Sequence, residues 1–186
     1  MVTTNEKDTM IDLSKYFEMS EEDLDALTST SIASPTEQLT YLFEVSGDLA
    51  GDIKRWDSGN VTMSLKTVVA EGDRKGAGGP LLKLSFGAYV GPGEVIDSEE
   101  RSRRDTVAEA RFIKIVSRVT DGAALSLPKG TEEEVLSATA KALKGQRFVG
   151  IVAKKDSDFA KFAPNGIYSV GNPPKSYSAA VEAFQI

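Results

Sequence analysis

Apolar and polar residues alternate with a period of two in three early stretches, and each predicts a β-strand with one buried face. In LTYLFEVSGDL, Tyr41, Phe43 and Val45 share a face with Leu39 beside them, while Gly47 and Gly51 allow a bulge or turn. In VTMSLKTVVA, Val61, Met63, Leu65, Thr67 and Val69 alternate with Thr62, Ser64, Lys66 and Val68. In LLKLSFGAYV, Leu82, Leu84, Phe86 and Ala88 lie opposite Leu81, Lys83, Ser85 and Gly87. The piece between the first two, DIKRWDSGN, reads as a turn. The piece between the second and third, EGDRKGAGGP, reads as a flexible hairpin tip because glycine and proline crowd it. Gly91-Pro92-Gly93 ends the third strand.

The period then changes. Ala108, Phe112, Ile115 and Val119 recur at helical spacing within 106–119, with Ser102 or Asp105 as the cap. A second helix is expected in TEEEVLSATAKALKG, with Thr131 as N-cap, Glu134 three residues on and Gly145 at the C-terminal end. Near the N-terminus, Ser20 followed by Glu21-Glu22-Asp23 predicts a short helix stapled by Met19 against Leu24. That segment is expected to dock lightly or to be mobile. Strands return at Arg147–Val152 and at Gly166–Val170, the latter after the turn signal Ala163-Pro164-Asn165-Gly166. The tail, ending in AAVEAFQI, is a small apolar stub.

Three strands, a helical insertion and two strands (β-β-β-α-β-β) argue against a doubly wound parallel sheet. The expectation is a mainly β chain with a helical insertion, an OB-like five-stranded antiparallel barrel. Its organisation would be an acidic N-terminal extension with a short helix over 1–35, an OB-like barrel domain over 36–175 and a C-terminal tail over 176–186.

Composition narrows the chemistry. The 186 residues include neither Cys nor His, which removes thiol nucleophiles, imidazole bases, disulfides and Cys/His zinc sites. No secretory signal or membrane-length apolar run is visible, so a soluble, cytoplasmic protein without membrane contact is expected. The net charge of −6 is unevenly spread. Residues 1–35 carry eight acids and two bases, leaving 20 of each in the rest. Two stretches are locally basic, 101–118 and 141–161, each with six bases against two acids.

Single-strand binders need a cationic track for phosphates and flat rings for bases. The stretch KGQRFVGIVAKKDSDFAKFAPNGIYSV interleaves Arg147, Lys154, Lys155 and Lys161 with Phe148, Phe159, Phe162 and Tyr168. Trp56 sits with Lys54 and Arg55 and has no apolar neighbours in sequence; Lys66 lies on the second strand. Lys154, Lys155 and Lys161 are the phosphate candidates, and Trp56, Phe159 and Phe162 the stacking candidates. The competing reading makes basic runs solvated faces and the phenylalanines core. Arg101, Arg103 and Arg104 could serve phosphates or pair with Glu99, Glu100 and Asp105. The glycine loop lacks GxxxxGK[ST] spacing and reads as a hairpin tip, which in an OB fold could still close over a strand of DNA. The acids near Asp97 are mixed with arginines and need no metal, so neither a metal nor a cofactor is expected, and no enzyme.

Three stretches, LKTVVAEGDRKGAGGPLLKLSF, AEARFIKIVSRVTDGAALSLP and KGQRFVGIVAKKD, resemble phage-encoded single-stranded-DNA-binding-like OB-fold proteins over about residues 39–170. The resemblance implies an arginine near the helix start, Arg111, and a strand opening at Lys144-Gly145-Gln146-Arg147. It implies non-catalytic single-stranded DNA binding in phage replication or recombination, in the host cytoplasm, beside a replication or recombination protein and with self-association open. The tail SAAVEAFQI has one acid, unlike the acidic tails of bacterial single-stranded-DNA-binding proteins. The alternative is a viral scaffold or an interaction module, including an inhibitor, docking through Leu24 and Leu27.

Overall fold

A computed structural model describes residues 11–28, 38–122, 127–153 and 161–177. Its elements are α1 (Ser14–Phe17), α2 (Glu21–Thr28), β1 (Gln38–Leu49), β2 (Lys54–Arg55), β3 (Val61–Val69), β4 (Leu82–Phe86), α3 (Ser98–Val119), α4 (Glu132–Leu143), β5 (Arg147–Ala153) and β6 (Lys161–Tyr168). The strands form one antiparallel sheet curled into a half-barrel. Val61 pairs with both Arg55 and Phe86, and Leu65 with both Leu49 and Leu82. So β1 and β2 share one edge of β3 and β4 takes the other. The order across the sheet is β4-β3-β1-β5-β6, with β2 extending the β1 side.

The alternation seen in β3 and β4 is the one observed. Val61, Met63, Leu65, Thr67 and Val69 are buried, as are Leu82, Leu84 and Phe86. The register of β1 against β3 shifts between Val45 and Leu49, where Gly47 adopts φ 83°, a conformation glycine takes without steric cost. The glycine-rich loop folds back on β3: Gly79 N–H donates to Thr67 O at 2.8 Å and Val69 N–H to Ala77 O at 2.9 Å.

Phe43 lies at the centre of the core. Its ring stacks on Phe148 with centroids 5.8 Å apart and meets Phe162 edge-on at 5.1 Å and Tyr41 at 6.2 Å. Glycine backbone lines both sides of it. A Cβ at Gly79 would come within 2.8 Å of one edge of the ring, and a Cβ at Gly150 within 2.8 Å of the other.

Helix α3 packs against both edge strands, β4 and β6, and covers the open side of the half-barrel. Phe86 and Phe112 join sheet to helix, ring centroids 4.3 Å apart. The helix begins at Ser98, capped by Asp97, whose side chain accepts from Glu100 N–H at 2.8 Å. It therefore starts earlier than the Ser102 or Asp105 cap expected, because its first turns are polar and carry no apolar signal. Asp105 instead accepts from Ala88 N–H at 2.6 Å. The buried stripe is Ala110, Phe112, Ile113, Val116 and Val119, broader than expected because helices cover what the sheet does not. Helix α4 has the expected capping box between Thr131 and Glu134.

Three other expectations change. The N-terminal segment does not dock lightly: Ile11, Leu13, Tyr16 and Leu24 are buried in the main core, while Met19 stays exposed. Lys54 and Arg55 form a short strand, not a turn. The signal at Ala163–Gly166 is not a turn before a strand but a bulge inside β6. There the pairing jumps from Val152↔Phe162 to Gly150↔Ile167, and Asn165 has φ 54°. On the sheet's other face, Leu42, Ala70 and Val149 form a small cluster under Tyr168 and Tyr177.

The contact at Gly150 gives a direct test. Gly150→Ala places a methyl group 2.6 Å from the Phe162 ring and within 2.8 Å of Phe43. Overpacking of this kind costs about 1–3 kcal/mol. Urea unfolding should show that loss with the slope unchanged, whereas Gly78→Ala, at an exposed glycine with open space around it, should leave the midpoint close to wild type.

Candidate nucleic-acid interface

Period two sorts the residues around Trp56. Lys54 pairs with Thr62 and Arg55 with Val61, so alternate side chains of this segment leave the sheet on opposite faces. Lys54 and Trp56 stand with Thr62 on the outward face. The indole Nε1–H donates to Thr62 Oγ1 at 3.0 Å, and Lys54 Nζ lies 3.6 Å from the ring centroid. The ring is 44% exposed and held in one orientation by these two contacts. Arg55 goes the other way, to Glu132 at 3.0 Å and Glu133 at 3.2 Å on α4. Burial raises the Glu132 carboxyl above its usual range although Arg55 opposes the shift.

The outward face continues across β3 and β4. Thr62 lies opposite Ser85, and Ser64 opposite Lys83. Lys66 follows Ser64 on the same side and is exposed, as is Lys83. Among the described residues no carboxylate forms an ion pair with Lys54, Lys66 or Lys83. Lys83 was missed as a candidate. Its signal was present in the alternation of β4, but its relevance needs the pairing that sets it beside Ser64.

Several other cations are neutralised within the chain. Arg103 and Arg104 pair with Glu100 at 2.7 and 2.8 Å, and Arg104 with Glu94 at 2.5 Å. Hydrogen bonds from Arg103 and then Arg104 hold the Glu100 carboxyl down at about 2. These pairs therefore persist at ordinary pH, and their contribution fades only as pH falls from about 4.5 towards 2. Arg147 bonds Glu44 at 2.9 Å across β1 and β5. Arg118 bonds Glu21 at 2.7 Å and lies over the Tyr168 ring. Lys114, buried on α3, contacts Asp25 of α2. The acidic N-terminal helix is thus laid on the α3 cations.

The remaining candidates separate. Arg111 is exposed in the middle of α3, not near its start. Lys161 is exposed at the start of β6, opposite Ala153, which pairs with Gln38 at the far end of β1 from Leu49. Phe162 belongs to the core cluster, edge-on to Phe43 and Phe148. It is accounted for by packing and stands apart from the Trp56 face. Lys154, Lys155 and Phe159 lie outside the described residues. The structure thus brings together Trp56, Lys54 and Lys66, adds Lys83, and does not join Arg55, Arg147 or Phe162 to them.

No family model, curated protein or solved structure matches this chain. Among the described residues, no helix is long and apolar enough to cross a membrane, and no three ligating side chains group to hold a metal ion.

The α2–α3 pairs predict an asymmetry in stability. The Lys114 side chain is 8% exposed and that of Asp25 50%. Asp25→Asn leaves a buried ammonium with neutral acceptors in place of a carboxylate, Thr28 Oγ1 and Asn165 Oδ1 among them, both at 3.4 Å. It should cost about 2–3 kcal/mol, because an uncompensated buried charge is expensive. Lys114→Met keeps the volume and removes the charge, and should cost under about 1 kcal/mol. Chemical denaturation of the two variants checks the order.

Proposed function

We propose that this chain is a non-catalytic module that binds single-stranded DNA through the outward face of β2, β3 and β4. The observation that carries the reading is the Trp56 ring, oriented by Thr62 and Lys54 and continued by Lys66 and Lys83 across neighbouring strands. An exposed, pre-oriented ring offers a stacking platform for any base, and lysines that form no ion pair among the described residues offer phosphate contacts. Thr62, Ser64 and Ser85 add neutral hydrogen-bonding groups between them.

The strand arrangement supports an OB-like reading of the fold. A meander of β1, β3 and β4 is followed by two helices, then by a strand that returns to the first strand and a final strand beside it. In OB folds the face of the second and third strands is the oligonucleotide surface, and here those positions are β3 and β4. The setting in phage replication or recombination rests on the resemblance of residues 65–86, 108–128 and 144–156.

Titration of the full chain with fluorescent oligo-dT tests the proposal, with Trp56 emission followed in parallel. Binding should weaken with salt and quench the indole. Lys66→Gln and Lys83→Gln should each lower the salt slope by about 0.7, since each neutralised phosphate of a single strand contributes that much. Trp56→Ala should weaken binding by roughly 1–3 kcal/mol. No binding at low salt would overturn the proposal and favour an interaction or scaffold role.

A further inference from the structure

Trp56 and Tyr89 are the exposed aromatic rings among the described residues, at 44% and 64%. They are far apart in sequence, yet their segments touch. The chain leaves β4 at Gly87, where a Cβ would lie 3.1 Å from Asn60 Cα, so the loop after β4 presses on the turn that follows Trp56. Trp56 N–H donates to Asn60 O at 2.9 Å and closes that turn. Arg101, exposed at the start of α3, reaches Ser58 O at 3.4 Å.

The loop carrying Tyr89 is fixed at successive points. Ala88 N–H donates to Asp105 at 2.6 Å. Arg104 donates to Tyr89 O at 2.9 Å and pairs with Glu94, which itself accepts from Gly91 N–H at 2.9 Å. Glu100 holds Arg104 from behind at 2.8 Å. A backbone anchored this thoroughly, with its largest ring left in water, loses little entropy when that ring is covered. Core packing does not explain Tyr89, since its ring belongs to no buried cluster.

We infer that Tyr89 is a second stacking platform, so that a single strand crossing the lysines of β3 and β4 passes over Trp56 and continues onto Tyr89. This rests on the single-strand reading above and names more of the same surface. Arg101 then faces a phosphate at this end. Arg104 is a positioning residue, holding the loop and not the strand.

The test compares wild type, Tyr89→Ala, Tyr89→Phe and Trp56→Ala with oligo-dT at several salt concentrations, and unfolding midpoints serve as the folding control. Tyr89→Ala should weaken binding about 5- to 150-fold, the equivalent of one lost base stack, with the salt slope unchanged. Tyr89→Phe, which keeps the ring, should bind within about threefold of wild type. Arg101→Gln should instead lower the slope by about 0.7. Wild-type affinity in Tyr89→Ala, alongside a weakened Trp56→Ala, would overturn the role of Tyr89 and leave the single-strand reading standing. Absence of binding by wild type would overturn both.

Discussion

The ring of Phe43 sits where three strands and three other aromatic rings meet, and the sheet can hold its register only if that ring fits. It lies on the central strand, stacked on Phe148 and edge-on to Tyr41 and Phe162. Two glycines, Gly79 and Gly150, let backbone approach the ring from either side. Loss of a buried phenylalanine ring of this kind costs about 3–5 kcal/mol, a large share of a typical domain's stability. One side chain therefore ties the β1–β3 half of the sheet to the β5–β6 half. Helix α3 covers the side that the sheet leaves open, with Phe112 against Phe86.

What is fixed inside also fixes the outside. In a strand a slip of one residue exchanges the two faces, so burial of Val61, Met63 and Leu65 commits Thr62, Ser64 and Lys66 to solvent. Pairing with β4 adds Ser85 and Lys83, and pairing with β2 adds Lys54 and Trp56. The charge pattern follows. Several cations on or beside the helices, Arg55, Arg104, Lys114 and Arg118 among them, are spent on carboxylates of the same chain. Among the described residues, the lysines of the β2–β3–β4 face are not. Net charge conceals this, because Glu21 and Asp25 of the N-terminal helix are held by Arg118 and Lys114 of α3.

The parts of the fold that follow local rules were legible in the chain. The faces of β3 and β4, the bulge at Gly47 and the capping box of α4 each depend on a few neighbouring residues. The parts that depend on distant partners were not. The start of α3 is polar because its first turns bind Glu94 and Tyr89 O in the preceding loop and the distant Trp56 turn. The same limit applies to the candidate site. Trp56 could be picked out from its polar surroundings, and Lys54 and Lys66 with it. Arg55 could not be separated from them until pairing put it on the opposite face. Phe162 looked like Trp56 as a ring among lysines; only the tertiary fold shows it against Phe43. Lys83 and Tyr89 gave no signal stronger than alternation and a glycine-proline loop.

Backbone amide shift mapping of the full chain with a short oligo-dT tests most directly whether the outward face of β2, β3 and β4 holds the strand. Perturbations should concentrate at residues 54–66 and 83–89, with the Trp56 indole N–H among the largest, and should be small along β5 and β6. Shifts confined to 147–153 and 161–168, with the Trp56 indole unmoved, would place the strand elsewhere and contradict the assignment of this face.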